Sequence, residues 1–271
     1  MTNYPDLSLL HDDVATDGLV KQMFVVNVSE PKSWEQEMPK PSRSIELQDG
    51  SWAHIWGEGP PILFVHGYDG RYSQVARILE KLSGSGFKLV ALEMPGHGRS
   101  HAYRADVLAF SHAVRAASRV FGPFHAIIGH SLGANVVLHA VANGAKSDNL
   151  VLIAPLISIE AHLREVCAMV KLSPDGTDVF IRKMTAQVGA PPSDFDGRVL
   201  RSSLHQPTFV IHDREDREMP FADTEDFVAG WPSAHLYASE GLGHKRLLAD
   251  DSIANMIYSF LDQTVESKKF E

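Results

Sequence analysis

The stretch Phe124-His125-Ala126-Ile127-Ile128-Gly129-His130-Ser131-Leu132-Gly133-Ala134 decides the fold. A short apolar run rich in β-branched residues ends abruptly in Gly-His-Ser-Leu-Gly, and Val136, Val137, Leu138, Ala140 and Val141 then recur at helical spacing. That order reads as a buried strand, a sharp turn and a helix. A serine at the apex of such a turn sits in a strained backbone with its hydroxyl exposed. Gly129 and Gly133 remove the side chains that would keep strand and helix apart. Ser131 also stands at the head of the helix, whose unpaired N–H groups favour nearby negative charge.

The same punctuation recurs on both sides of this stretch. Upstream, Ile62-Leu63-Phe64-Val65 reads as a strand buried on both faces and ends in His66-Gly67-Tyr68-Asp69-Gly70. Phe87 to Leu92 reads likewise and runs into Met94-Pro95-Gly96-His97-Gly98-Arg99-Ser100. Ser44 to Trp56 alternates about Asp49-Gly50, a hairpin signal. Helical patterns over 72–82 and 104–121 separate the strands. Downstream come strands at 150–153, 208–211 and 235–238, and helices at about 221–229 and 247–261. Strands alternating with helices imply an α/β fold, a mostly parallel sheet with helices on both faces. Its suggestive loops all follow strands, and that edge of an open sheet is where ligands bind.

Between residues 156 and 203 the rhythm changes to consecutive helical patterns, at 159–172, 178–188 and about 194–202. This segment is expected to form a small helical cap inserted into a core made of residues 44–155 and 204–271. Residues 1–43 are expected to be an extension without a chemical signature, in which Lys21 to Val28 reads as a strand and Pro31, Pro39 and Pro41 interrupt the chain.

Bulk properties narrow the function. The 271 residues, 44% of them hydrophobic, can bury a large core. A net charge of −9 without a basic run argues against nucleic acid as a partner. The one cysteine, Cys167, excludes an internal disulfide or a cysteine metal cluster and fits a reducing cytoplasm. Met1 to Asp13 shows no leader pattern, and no apolar run is long enough to span a membrane.

A serine hydroxyl needs a base to take its proton, and the base needs a carboxylate to hold its tautomer. His244, in the glycine-flanked loop after the last strand, is the candidate base among 14 histidines. His66 and His97 lie in strand-end loops and are expected to brace backbone. His130 neighbours the serine but is expected to point away from the turn apex. Asp216 is the candidate carboxylate, ahead of Asp213, which follows its strand too closely, and Glu215. The order Ser131, Asp216, His244 is that of an elbow-type hydrolase. Attack on an acyl carbon creates an oxyanion, for which the backbone N–H groups of Leu132 and Tyr68 are the expected donors.

These pieces, in this order on these elements, resemble the α/β-hydrolase superfamily over roughly residues 45 to 262. The stretches Asp213 to Pro220 and Gly241 to Arg246 are similar to those of a bacterial group of undefined substrate. The resemblance implies esterase, lipase or thioesterase chemistry without cofactor or metal, on a small-molecule acyl substrate. Serine at the elbow argues against haloalkane dehalogenases and epoxide hydrolases, which use aspartate. Carbon–carbon bond hydrolysis and a non-catalytic receptor role remain as alternatives. Glu93 stands where the superfamily often has Asp, a change expected to concern loop packing. Lys245 and Arg246 are expected to pair with surface acids.

Overall fold

A computed structural model describes residues 6–7, 12–100 and 104–268 of the chain. Most of the leader reading therefore falls outside the described residues. Among those residues eight strands form one sheet in the order β1-β2-β4-β3-β5-β6-β7-β8. The strands are β1 (Arg43–Glu46), β2 (Trp52–Trp56), β3 (Pro61–Val65), β4 (Lys88–Glu93), β5 (Phe124–His130), β6 (Ser147–Ile153), β7 (Thr208–Asp213) and β8 (Ala234–Ser239). β1 and β2 form the expected antiparallel hairpin, with Glu46 opposite Trp52. β2 runs antiparallel to β4, and every later pairing is parallel.

Strand residues alternate between two apolar layers. Leu63, Val65, Ile127, Leu150, Leu152 and Val210 face one, with Phe110 and Val114 of α4 (Val107–Phe121) and Val137 and Val141 of α5 (Leu132–Ala142). Ile62, Phe64, Ile128, Val151 and Ile211 face the other, with Ile78 and Leu82 of α3 (Ala76–Leu82) and Ile257 and Leu261 of α11 (Asp251–Lys268). Burying each such side chain is worth about 2 kcal/mol, and burial on both faces is why these strands read as continuous apolar runs.

The strand order sets the site. From β3 the chain moves one way to β4 and then back across to β5, so the strand order reverses between β3 and β5. That reversal opens a crevice at the carboxyl ends of the strands. Val65 pairs with Gly129, which brings His66-Gly67 alongside His130-Ser131.

Two expectations are corrected. Lys21 to Val28 is not a strand: α1 (Asp12–Gln22) takes in its first residues, and no regular structure follows through residue 32. Leu19 is buried against the core and Ala15 is buried beside it in α1, whereas Val25 and Val28 stay exposed. The closing helix is also displaced. A short α10 (Gly243–Arg246) and a 3₁₀ turn come first, and Asp250 accepts the N–H groups of Ser252 and Ile253 where α11 begins.

Between β6 and β7 lie α6 (Ile159–Met169), α7 (Pro174–Val188) and, in place of a third full helix, the short α8 (Gly197–Leu200) flanked by 3₁₀ turns. Ser158 and Ser173 cap α6 and α7 by accepting N–H groups three residues on. Asn135 of α5 ties this helical segment down at two points. Its buried amide donates to the carbonyls of Leu156 at 3.1 Å and Phe195 at 2.7 Å. α2 (Ser33–Gln36) and α9 (Phe221–Ala229) complete the helices.

Candidate active site

At the end of β5 the backbone turns through Ser131 with φ +56°, left-handed space that costs a non-glycine residue about 1–3 kcal/mol. Neighbours hold it there. Its N–H donates to Ile153 at 2.9 Å, and its carbonyl accepts Ala134 N–H at 3.0 Å and Leu156 N–H at 3.3 Å. Only glycine fits two residues on: a Cβ on Gly133 would lie 2.4 Å from the Val65 carbonyl oxygen and 2.5 Å from that of His66. Leu132 opens α5, so its N–H is among those without an intrahelical acceptor.

His244 lies in α10, just after β8. Its Nδ1–H donates to Asp216 Oδ2 at 2.7 Å, which leaves Nε2 as the lone-pair nitrogen. Its backbone is anchored beside the elbow, because His130 Nε2–H donates to the His244 carbonyl at 3.1 Å and the two rings lie 4.8 Å apart. His130 thus packs its ring beside that of His244 and holds the His244 backbone. Burial, with the nearby His244, pushes its imidazole down to about 3, so it stays neutral.

Asp216 is saturated with donors. Oδ1 accepts Glu218 N–H at 2.8 Å and Met219 N–H at 3.0 Å, and Oδ2 accepts both His244 and His212. Burial raises its carboxyl, but these hydrogen bonds outweigh that and hold it well below the usual carboxylate range. His212 was missed in the sequence. It is fully buried, donates Nε2–H to Asp216 at 3.0 Å, and pairs through Nδ1 with Thr224 Oγ1 at 2.8 Å. The available signal was two polar residues, His212-Asp213, closing an otherwise apolar strand.

Asp213 does not reach His244; it braces the loop that carries it. Its carboxylate accepts Ser239 Oγ–H at 2.7 Å, Leu242 N–H at 2.9 Å and Glu215 N–H at 3.0 Å. Burial works against its charge, and these bonds still lower its carboxyl. Glu215 is exposed, and its N–H is the one that Asp213 accepts.

The loop carrying Tyr68 lies against the serine. A Cβ on Gly67 would come within 2.9 Å of Ser131 Cβ and 3.4 Å of its Oγ. His66 does brace this loop, donating Nδ1–H to Gly67 O at 2.7 Å and accepting Met94 N–H on Nε2 at 3.1 Å. Burial, with His97 nearby, pushes His66 down to about 3. His97 donates Nδ1–H to the Pro95 carbonyl and packs edge-on to Tyr68 and Phe110. Glu93 supports the next loop, accepting Arg99 N–H at 3.1 Å.

A cleft of about 390 Å³ opens beside His244, lined also by Glu215, Arg217, Glu218, Gly243 and Arg246. Lys245 lies 3.8 Å from Glu218 as expected, but Arg246 is spent on loop carbonyls, those of Leu242 at 2.8 Å and Gly241. Among the described residues no group of three His, Cys, Asp or Glu side chains is placed to hold a metal ion, and no helix is long and apolar enough to cross a membrane.

Comparison with known proteins points the same way. The family model described as serine aminopeptidase, S33, matches residues 60–237. The AB hydrolase superfamily protein YisY of Bacillus subtilis is 23% identical over 232 residues, covering 69% of this chain and 86% of its own. A Pyrococcus furiosus esterase superposes with a TM-score of 0.64 at 16% identity, over 88% of this chain and 96% of that one. The meta-cleavage product hydrolase CumD of Pseudomonas fluorescens superposes with a TM-score of 0.61 at 15% identity, over 83% and 98%.

Proposed function

Because the chain belongs to the serine aminopeptidase S33 family of α/β hydrolases, we propose that it is a serine hydrolase cleaving a small ester through an acyl-enzyme. The observation that carries this reading is the 2.7 Å bond from His244 Nδ1 to Asp216, anchored through His130 beside the elbow that holds Ser131 at φ +56°.

In this reading His244 Nε2 takes the Ser131 proton as Oγ attacks the acyl carbon. Asp216 keeps the tautomer and stabilises the imidazolium. The N–H groups of Tyr68 and Leu132 face the developing oxyanion. His244 then protonates the leaving group, and water, activated by the same imidazole, frees the acid and restores Ser131. The helical insertion at 156–203 acts as the cap over the acyl pocket. No cofactor enters the cycle. The single cysteine supports a cytoplasmic setting.

The test is intact-mass spectrometry after incubation with a fluorophosphonate. One adduct is expected on the wild type and none on Ser131→Ala; labelling of both, or of neither, refutes the assignment. A panel of ester, thioester and vinylogous diketone substrates then separates ester cleavage from carbon–carbon cleavage. A ligand that raises the melting temperature with no product formed would favour a receptor.

A further inference from the structure

The segment before β1 holds the loop that follows β3 at four points. Tyr68 Oη lies 3.0 Å from the Met23 carbonyl and 3.3 Å from that of Ala105, both acceptors for its one proton. Asn27 N–H donates to Asp69 Oδ1 at 2.7 Å, where Asp69 turns the chain at φ +57°. Further on, buried Glu35 accepts Arg71 Nη1–H at 3.2 Å and Ser73 Oγ–H at 2.7 Å.

The same segment is fastened to the insertion. α1 packs along α7, where Lys183 Nζ donates to Asp17 Oδ1 at 2.7 Å and to buried Thr16 Oγ1 at 2.9 Å. Beyond α1, the Phe24 ring lies under the Arg104 guanidinium, which donates to the Gln187 carbonyl near the end of α7. One stretch of chain thus reaches both α7 and the loop whose Gly67 abuts Ser131.

We propose that residues 12–36 are a positioning strap, which sets the backbone of Gly67 to Ser73 through Met23, Asn27 and Glu35 and couples that backbone to α7. Its catalytic consequence rests on the serine-hydrolase reading, in which Tyr68 N–H faces the oxyanion; its structural part does not. A donor displaced from the oxyanion costs turnover more than ground-state binding, because the charge it meets exists only in the transition state.

The experiment uses the full chain carrying Asn27→Pro, Glu35→Ala, Lys183→Asp, or the charge swap Asp17→Lys with Lys183→Asp. Amide hydrogen exchange at residues 68–73 is expected to quicken at least about tenfold in the three single variants and to return in the swap, with circular dichroism unchanged. Exchange within about twofold of wild type in Asn27→Pro and Glu35→Ala overturns the strap. On p-nitrophenyl acetate, kcat is expected to fall about tenfold with KM within about twofold, and a trifluoromethyl ketone to bind correspondingly less tightly. Faster exchange with unchanged kcat overturns the catalytic consequence. A wild type that takes no fluorophosphonate adduct refutes the serine-hydrolase reading instead, and hydrogen exchange then decides the strap alone. Asn27 is exposed and its variant removes one main-chain donor only, so it keeps the comparison clear of misfolding.

Discussion

His212 and His244 meet on one oxygen: Asp216 Oδ2 accepts Nε2–H of the first at 3.0 Å and Nδ1–H of the second at 2.7 Å. The carboxylate is therefore oriented from behind by a buried imidazole, which Thr224 holds in turn. Replacing His212 with Ala removes a donor to a charged group, worth about 1.5–3 kcal/mol, and frees Asp216 to rotate. Fluorophosphonate labelling should slow by about tenfold or more, and His212→Gln, which keeps an N–H donor, should recover part of the rate. Equal rates in wild type and His212→Ala would show that Asp216 needs no second imidazole.

Gly67 and Gly133 should respond differently to the same added methyl. At Gly133 the Cβ would strike main-chain oxygens of Val65 and His66, which cannot withdraw without opening β3, so Gly133→Ala should not accumulate as soluble protein. At Gly67 the nearest atoms are the Ser131 side chain and the His130 carbonyl. Gly67→Ala should fold, with circular dichroism close to wild type, and lose most of its labelling. A soluble, fully reactive Gly67→Ala would contradict the placement of that loop against Ser131.

Asp213 contributes structure where Asp216 contributes orientation. Asp213→Ala would leave Ser239 Oγ and Leu242 N–H without their acceptor at a buried position, at a cost of about 3 kcal/mol. Urea unfolding measures this, and hydrogen exchange should rise around residues 239–244. Both carboxyls are lowered in the folded chain, so their stabilisation is complete above the ordinary carboxylate range near pH 4 and is lost as pH falls below it.

Acid sensitivity should begin well above that range. Folded His66 and His130 stay neutral down to about 3, while unfolded histidine takes up its proton near pH 6.5. Between those limits the unfolded chain binds one more proton at each, so stability falls as pH falls, by about 1.4 kcal/mol per pH unit for each histidine. Urea midpoints from pH 7 to 5 should decline steadily, and His66→Gln should make the slope shallower. A flat profile would mean that these rings are protonated in the folded chain.

What could be read before the structure was what short-range chemistry encodes. β3, β4, β5 and β6 are buried on both faces, so they appear as apolar runs, and Asp49-Gly50 marks its hairpin unaided. The loops holding Tyr68, Ser131, Asp216 and His244 were visible because each ends a strand. Lys21 to Val28 misled because a short run rich in β-branched and aromatic residues says nothing about whether a strand edge is free to pair. His212 and Asp213 were passed over for another reason. Asp213 acts through Ser239 of β8 and Leu242 in the loop to α10, 26 and 29 residues away, and His212 through Asp216 and Thr224 beyond the end of β7, partners that spacing along one strand does not show.

Asn135 has a consequence for interchange of parts. One amide, on the helix that starts at the serine, grips the chain just after β6, at Leu156, and again ahead of α8, at Phe195. The chain at those two points is thus registered on α5 as well as on itself, since Gly197 N–H donates to the Ile157 carbonyl at 2.8 Å. A foreign segment placed between those two points is expected to seat on the scaffold only where Asn135 and both carbonyls are kept.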